Sequence, residues 1–508
     1  MGYRQATTVA LAALLMASAA PALAQGDAIN VATVGELPTL DPMSTTTDLV
    51  GDVTQHIFET LFTFDANYGL TPMLAQDMPQ ISADGTEYLI KLRSGITFHD
   101  GSAMDSADVV ASLNRWLATA SRAKLVSESI EAIEAVDAET VRIKLNKPSG
   151  SFLALLSFTN SAAVIMPEEK LADPLVEFIG TGPFKLGERK PDQYIQLLKF
   201  EDYSPRAEAP NGYGGARIAE VDELRFLPVP DASTRIEAAL AGQYDYVSSL
   251  PIEAAARFQD QANVEPVLLE SFGWPVFVLN KKAGSAADIE VRRAIRTALN
   301  MEDMLIAAFG DPSAYSLNGS MYPSTFVWHS DAGVDGAYNL GDPDAARSML
   351  AEAGKEGAPL RILTSRQYEF HYKMAQVAAE YLKQAGFAVE MDVVDWATLS
   401  ERRGNPDLWD IYITHSSFLP EPGIINLLSP TAPGWWESEA RTTAMDAFNA
   451  ELDPAKRVEK WAEVQRVIYD EVPFIKIGDF SALAAKSKRL EGLVKAPWPY
   501  FWNTSVTQ

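Results

Sequence analysis

Residues 70–112 read LTPMLAQDMPQISADGTEYLIKLRSGITFHDGSAMDSADVVAS, and the order of turns and apolar runs in this stretch decides the fold. Glu87–Leu92 (EYLIKL) is a strand with β-favouring residues, framed by turns at Ala83-Asp84-Gly85 and Ser94-Gly95. Asp-Gly pairs suit such turns, because Gly accepts a positive φ and Asp bonds its own backbone. A further turn, His99-Asp100-Gly101, runs into a helix over Ala103–Leu117. Asp105 and Asp108 sit at its start, where a helix favours acids, and Val109, Leu113 and Trp116 or Leu117 form an apolar stripe at three- and four-residue spacing.

Outward from this stretch the chain falls into two regimes. Up to about residue 266 the strands are short and separated by turns, as in Thr140–Leu145 (TVRIKL) before Asn146-Lys147-Pro148, and in Tyr194–Phe200 (YIQLLKF). From Phe272 onward strands and helices alternate. Trp274–Asn280 is a buried-strand run, and Asp288 caps a helix bearing Val291, Ile295 and Leu299. Asp342-Pro343 opens a helix that stops at Gly354. Then follow strand Leu360–Thr364, helix Glu369–Ala385, strand Phe387–Val394, helix Ala397–Arg403 and strand Trp409–Thr414. Such alternation predicts a mainly parallel sheet with helices on both faces. Helix Pro454–Tyr469 closes this part, and Phe474–Ile477 with Ala482–Pro499 returns to the first regime, which implies two chain crossings between the parts.

Composition narrows the function. The chain has 508 residues, room for about three domains, and a net charge of −26 from 42 basic and 68 acidic residues. That balance opposes nucleic-acid binding, which needs clustered Lys and Arg, and suits a soluble monomer. The absence of cysteine removes disulfides, thiolate metal sites and Cys-linked lipid anchors. Residues 1–24, MGYRQATTVALAALLMASAAPALA, place Arg4 before an apolar run and end on Ala22-Leu23-Ala24, the pattern of a cleaved export signal. The run is too short to cross a bilayer, which takes about 20 apolar residues. A free periplasmic or extracellular protein is therefore expected.

An exported hydrolase is the competing class. Its equipment is missing, since neither a Gly-x-Ser-x-Gly elbow nor a His-Glu-x-x-His pair occurs in the chain. No Walker A sequence is present, so any ATPase belongs to another polypeptide. His56, His99, His329, His371 and His415 show no ligand spacing, and neither a metal site nor another cofactor is expected. A ligand-sensing receptor stays open as an alternative to delivery.

The 70–112 stretch, Leu40-Asp41-Pro42, Gly180-Thr181-Gly182-Pro183-Phe184 and Asp288–Asn300 (DIEVRRAIRTALN) after the WPVFVLN strand occur in this order. Together they resemble extracellular solute-binding proteins of family 5, the peptide, opine and nickel binders of ATP-binding cassette importers. The resemblance covers nearly the whole chain after residue 24. It implies an α/β two-lobe periplasmic clamp of type II-like form whose first lobe is enlarged. Residues 27–60, 185–266 and 482–508 would form the core of lobe 1, residues 61–184 its inserted subdomain, and residues 267–481 lobe 2. It also implies a small-molecule ligand, peptide-like or an organic acid or amphiphile, enclosed between the lobes and passed to a membrane permease.

In peptide binders of this family an acid in the loop after the strand matching Trp409–Thr414 grips the ligand ammonium. Here that loop, His415–Pro422, has only the late Glu421, which argues against a plain dipeptide. Arg366, in the loop Ser365-Arg366-Gln367-Tyr368, is the expected carboxylate clamp, with a surface ion pair as the alternative. By position, Met43, Thr45 and Thr46, and the run Phe158-Thr159-Asn160, match stretches that line the cleft in relatives. Tyr368, Trp396, Trp409, Ser417 and Phe418 complete the expected walls, although single aromatics commonly serve packing alone. His415 is either a ligand partner or a structural residue, and Arg115-Trp116 either wall or core.

Overall fold

A computed structural model describes residues 28–507; the expected export segment, 1–24, lies outside the described residues. Twelve strands form one mixed sheet that runs through both halves of the molecule. Its path is Ala388–Val394, Pro359–Ser365, Ile411–Ser417, Val264–Leu279, Asp479–Ser487, Tyr246–Leu250, Ala28–Thr33, Glu223–Pro228, Tyr194–Lys199 and Phe184–Lys190. Two further strands attach beside it, Tyr315–Ser316 on Asp479–Ser487 and Phe474–Lys476 on Val264–Leu279.

The sheet of the second half departs from the mainly parallel expectation. Pro359–Ser365 does pair in parallel with both Ala388–Val394 and Ile411–Ser417. The next strand, Val264–Leu279, is antiparallel to Ile411–Ser417, from Gly273 opposite Ser417 to Leu279 opposite Ile411. It enters from the other half of the molecule rather than through a helical crossover, so its direction is free of the right-handed parallel rule. The helices do bury both faces: Ile411 and Ile413 point into one core and Tyr412 into the other. The strand expected at Trp409 begins instead at Ile411, because a short helical turn over Pro406–Leu408 precedes it.

Two strands carry the chain between the halves. Val264–Leu269 pairs with Ala482–Ser487, and the register then shifts before Gly273 meets Phe480. Within that irregularity Ser271 adopts φ 46°. At Gly273 a Cβ would lie 2.1 Å from the Ser416 carbonyl oxygen, so the close pairing needs glycine.

The first half holds a second, four-stranded antiparallel sheet, Gln80–Ile81, Glu87–Lys91, Thr140–Leu145 and Ile130–Asp137 in spatial order apart from the chain order. Helix Ser106–Thr119 comes between Glu87–Lys91 and Ile130–Asp137 in the chain, opened by a capping box in which Asp105 and Asp108 satisfy each other's backbone N–H groups. The quoted turn motif meets the Gly180–Phe184 motif directly. His99 Nδ1 accepts from the Gly180 N–H at 3.2 Å, so Nε2 carries the proton and donates to the Gly182 carbonyl at 2.9 Å. Burial holds this imidazole neutral, down to about 4. A Cβ on Gly182 would lie 2.4 Å from the His56 carbonyl. Both signature motifs thus fasten the chain to itself.

The closing segment packs back against the first half: Trp498 stands edge-on to Phe158 and Phe501 stacks on His56.

Candidate functional site in the interlobe cleft

Between the two halves lies a cavity of about 730 Å³, within the range of small-ligand sites. One wall is the loop before helix Asp48–Thr54. Asp41 organises that loop: Arg115 grips its carboxylate with N–O distances of 2.6 and 3.2 Å, and Asp41 in turn accepts from the Met43 N–H at 3.0 Å. Arg115 and Met43 are therefore scaffold behind the wall, Met43 being fully buried. Thr45, Thr46, Thr47 and Asp48 then face the cavity.

Beside them stands Arg122, one turn beyond helix Ser106–Thr119. Its Nε and Nη2 donate to Asn160 Oδ1 at 3.2 and 3.1 Å, while Asn160 Nδ2 donates to Asp48 Oδ1 at 2.5 Å. Trp498 Nε1 donates to the same Asp48 oxygen at 3.1 Å. The guanidinium lies 4.6 Å above the Phe158 ring. Arg122 is 5% exposed, and its Nη1 has no hydrogen-bond partner among the described residues. Burial lowers its pKa to about 10, which leaves it charged at neutral pH. Burial raises that of Asp48, an effect its two donors and Arg122 partly offset.

The opposite wall comes from the second half. Tyr368 stands at the start of helix Glu369–Gln384 and meets Trp396 edge-on, with centroids 4.8 Å apart. Trp396 opens helix Trp396–Arg402, capped by Asp395, and its N–H donates to Gln367 Oε1. His415 lies 4.8 Å from the Tyr368 ring, and its Nδ1 is 3.0 Å from His371 Nε2. Burial lowers His415 to about 4 and holds His371 well below the usual imidazole value, with His415 adding to the effect, so both imidazoles are neutral at pH 7. Thr398, Ser400, Arg403, Tyr412 and Ser416-Ser417 complete this side. Arg403 forms no ion pair among the described residues.

Of the residues expected from sequence, Thr45, Thr46, Tyr368, Trp396, His415 and Ser417 border this cavity. Asn160 lies one layer behind, as the link between Arg122 and Asp48. Trp409 is fully buried, stacked on Trp435 at 5.7 Å and edge-on to Tyr412 at 4.9 Å. Phe418 is buried against Tyr322 and Phe326. Arg366 is exposed, folded over the Tyr372 ring at 4.2 Å with Nη2 donating to its hydroxyl at 2.8 Å, and borders a different cavity. Helix spacing explains it, since Tyr372 rises one turn into the helix that Arg366 precedes. Glu421 is likewise engaged, with Arg457 at 2.5 Å and the Ser151 hydroxyl at 2.8 Å.

Asp48, Arg122 and Arg403 went unnoticed in the sequence. Each is one charge among many, and no local pattern marks it. The nearest signal was Asn160, whose neighbours turned out to be the charged pair.

The chain matches the description of bacterial extracellular solute-binding proteins, family 5 Middle, over residues 69–435. It is 27% identical over 489 residues to a probable peptide transporter periplasmic-binding protein of Sinorhizobium fredii, covering 92% of this chain and 91% of that one. It is also 27% identical over 505 residues to the glutathione-binding protein GsiB of Escherichia coli K12, covering 95% and 94%. The structure of AgaA from A. tumefaciens R10 in complex with agropinic acid is similar with a TM-score of 0.83 and 25% identity, covering 95% and 99%.

Proposed function

This chain belongs to the bacterial extracellular solute-binding proteins of family 5, and from that premise we propose that its interlobe cavity takes a small, hydroxyl-rich or peptide-like organic acid whose carboxylate is anchored by Arg122. The protein is the solute-binding component of an ATP-binding cassette importer. The observation that carries the choice of ligand is the buried Nη1 of Arg122, which has no hydrogen-bond partner among the described residues.

A guanidinium taken out of water with one donor unmet is costly. An entering carboxylate removes that cost and gains charge-assisted hydrogen bonds. The clamp role thereby moves from Arg366 to Arg122. Around it the walls offer the hydroxyls of Thr45, Thr46, Thr47, Ser121, Thr398 and Ser417, donors and acceptors suited to polyol or amide groups. Asp48 can accept from an ammonium or hydroxyl beside the carboxylate. The glutathione-binding relative and the relative in complex with agropinic acid support this class of ligand.

The same reading has the chain exported by cleavage after Ala24 and acting as a monomer without catalytic activity, closing on ligand and presenting it to the permease. The division into 27–60, 185–266 and 482–508, an inserted 61–184, and 267–481 is supported by the separate four-stranded sheet and by the two strands that cross between halves.

Native mass spectrometry of the purified protein identifies any co-purifying acid. That acid is then titrated by calorimetry against wild type, Arg122→Ala and Arg122→Lys. A loss of about tenfold to hundredfold is expected for Arg122→Ala, and partial retention for Arg122→Lys. Equal affinity in all three sinks the assignment.

A further inference from the structure

A second cavity of about 390 Å³ lies behind Tyr368 and His415, which belong to the walls of both cavities. Its lining is mixed: Asp231, Arg366, Gln367, Glu369 and Lys373 stand beside an aromatic floor. Phe309, Phe370 and Phe480 form its floor, with centroid separations of 5.3 Å for Phe309–Phe480, 5.1 Å for Phe370–Phe480 and 5.5 Å for Phe309–Phe370. Leu250, Ile252 and Leu483 add aliphatic surface. The wall is built rather than incidental. Arg235, fully buried, donates to the carbonyls of Val229 at 2.7 Å, Pro230 at 3.0 Å and Ser249 at 2.9 Å, and so ties together the two segments that bring Pro230 and Ser249 into the lining. Ser249 is held at φ 54° in that arrangement.

The lining draws on both halves of the molecule and on the crossing strand Asp479–Ser487. An occupant would touch both halves, so it would add to closure as the first cavity's occupant does.

We propose that this second cavity receives an apolar, preferably aromatic, substituent of the same ligand whose carboxylate Arg122 holds, with Tyr368 and His415 as the collar between the two compartments. The ligand is then an amphiphilic acid, polar at one end and aromatic at the other. This inference rests on the reading of the first cavity as the ligand site. Tyr368 and His415 meet edge-to-face with centroids 4.8 Å apart and line both cavities, and aromatic rings of this kind pack well against a further ring.

The test uses 4-phenylbutyrate and gluconate as probes, titrated by calorimetry against wild type, Arg122→Ala, Ala482→Phe and Ala232→Phe. Ala482 lies in the crossing strand and Ala232 on the half-exposed first turn of helix Ala232–Leu240; both line the second cavity, and the second variant guards against misfolding of the first. Expected are phenylbutyrate binding by wild type, a loss of about tenfold or more in both cavity-filling variants, since burying a phenyl group is worth that much, and gluconate binding unchanged by them. Failure of wild type to bind phenylbutyrate, or equal phenylbutyrate affinity in wild type and both filled variants, overturns the inference. If Arg122→Ala weakens gluconate while the filled variants leave phenylbutyrate untouched, the first-cavity reading stands and the second falls. If the filled variants lose phenylbutyrate and Arg122→Ala changes neither probe, the apolar compartment is separate from the carboxylate anchor and the proposal of one shared ligand fails.

Discussion

Arg122 and Asp48 face the same cavity without touching each other: Asn160 turns its carbonyl oxygen to the guanidinium, at 3.2 and 3.1 Å, and its amide nitrogen to the carboxylate, at 2.5 Å. One neutral amide thus orients two opposite charges and bridges them by hydrogen bonds. Both stand in the lining of the cavity.

Replacing Asn160 therefore damages binding as well as folding. Asn160→Leu leaves a buried guanidinium and a buried carboxylate without this partner, at a cost of about 1–3 kcal/mol in stability. The pair should then collapse together, and affinity for the acid should fall about tenfold. Calorimetric titration beside denaturant unfolding separates the two effects.

The Arg115–Asp41 pair, with side chains 9% and 8% exposed, holds the wall loop. Arg115→Ala strands Asp41 as a buried unpaired charge, and about 3–5 kcal/mol of destabilisation is expected in thermal unfolding. The double variant Arg115→Met with Asp41→Asn removes the charge and keeps the Met43 N–H acceptor, so most of that stability returns. A double variant no better than the single one would show that the ion pair itself carries the loop.

Acid should weaken the fold through its buried imidazoles. His99 and His415 are lowered by burial to about 4, His56 to about 3, and His371 in the same direction. Their native pKa lies below the unfolded value of about 6.5, so unfolded chains bind protons first as pH falls. The stability these groups contribute is fully present above about pH 6.5 and is lost progressively toward pH 4. Asp48 and Asp52, raised by burial, act in the opposite sense. Their effect is cancelled by comparing variants: His371→Gln should lose less stability than wild type between pH 7 and 4.5 in urea unfolding.

Gly273 sits where the crossing strand changes partners. Gly273→Ala drives a Cβ into the Ser416 carbonyl, 2.1 Å away, and neither backbone can yield without breaking the pairing. A destabilisation of about 2–4 kcal/mol is expected, with faster amide exchange along Ile411–Ser417. Unchanged exchange there would mean that the strands separate without cost.

How far the sequence reaches can be judged from particular residues. The strand Glu87–Lys91, the capping box of Asp105 and Asp108, and the helix opened by Asp342-Pro343 follow from signals within a few residues, and the structure has them at or beside the expected positions. The strand expected at Trp409 started two residues late because a helical turn at Asn405-Pro406 competes locally. Arg366 shows where sequence reasoning stops, for it borders the second cavity and not the first. Its residue type and loop suited a clamp, yet which way a long side chain leans is decided by a neighbour, here Tyr372.

Short-range chemistry, then, establishes the elements, the signature turns and through them the clamp architecture, because turns, caps and apolar periodicity act over one or two turns of chain. The ligand site is of another order. Asp48 and Arg122 come from one half of the molecule, Tyr368, Trp396 and Arg403 from the other, and Asn160 from a loop behind them. Asp48, Arg122 and Arg403 carry no local mark of such a place, whereas Tyr368, Trp396 and Asn160 stand in loops and helix starts that the sequence already singled out. Their charges and rings converge only when packing brings distant segments together, and burial then leaves Arg122 Nη1, Trp396 Nε1 and Ser417 Oγ without hydrogen-bond partners among the described residues.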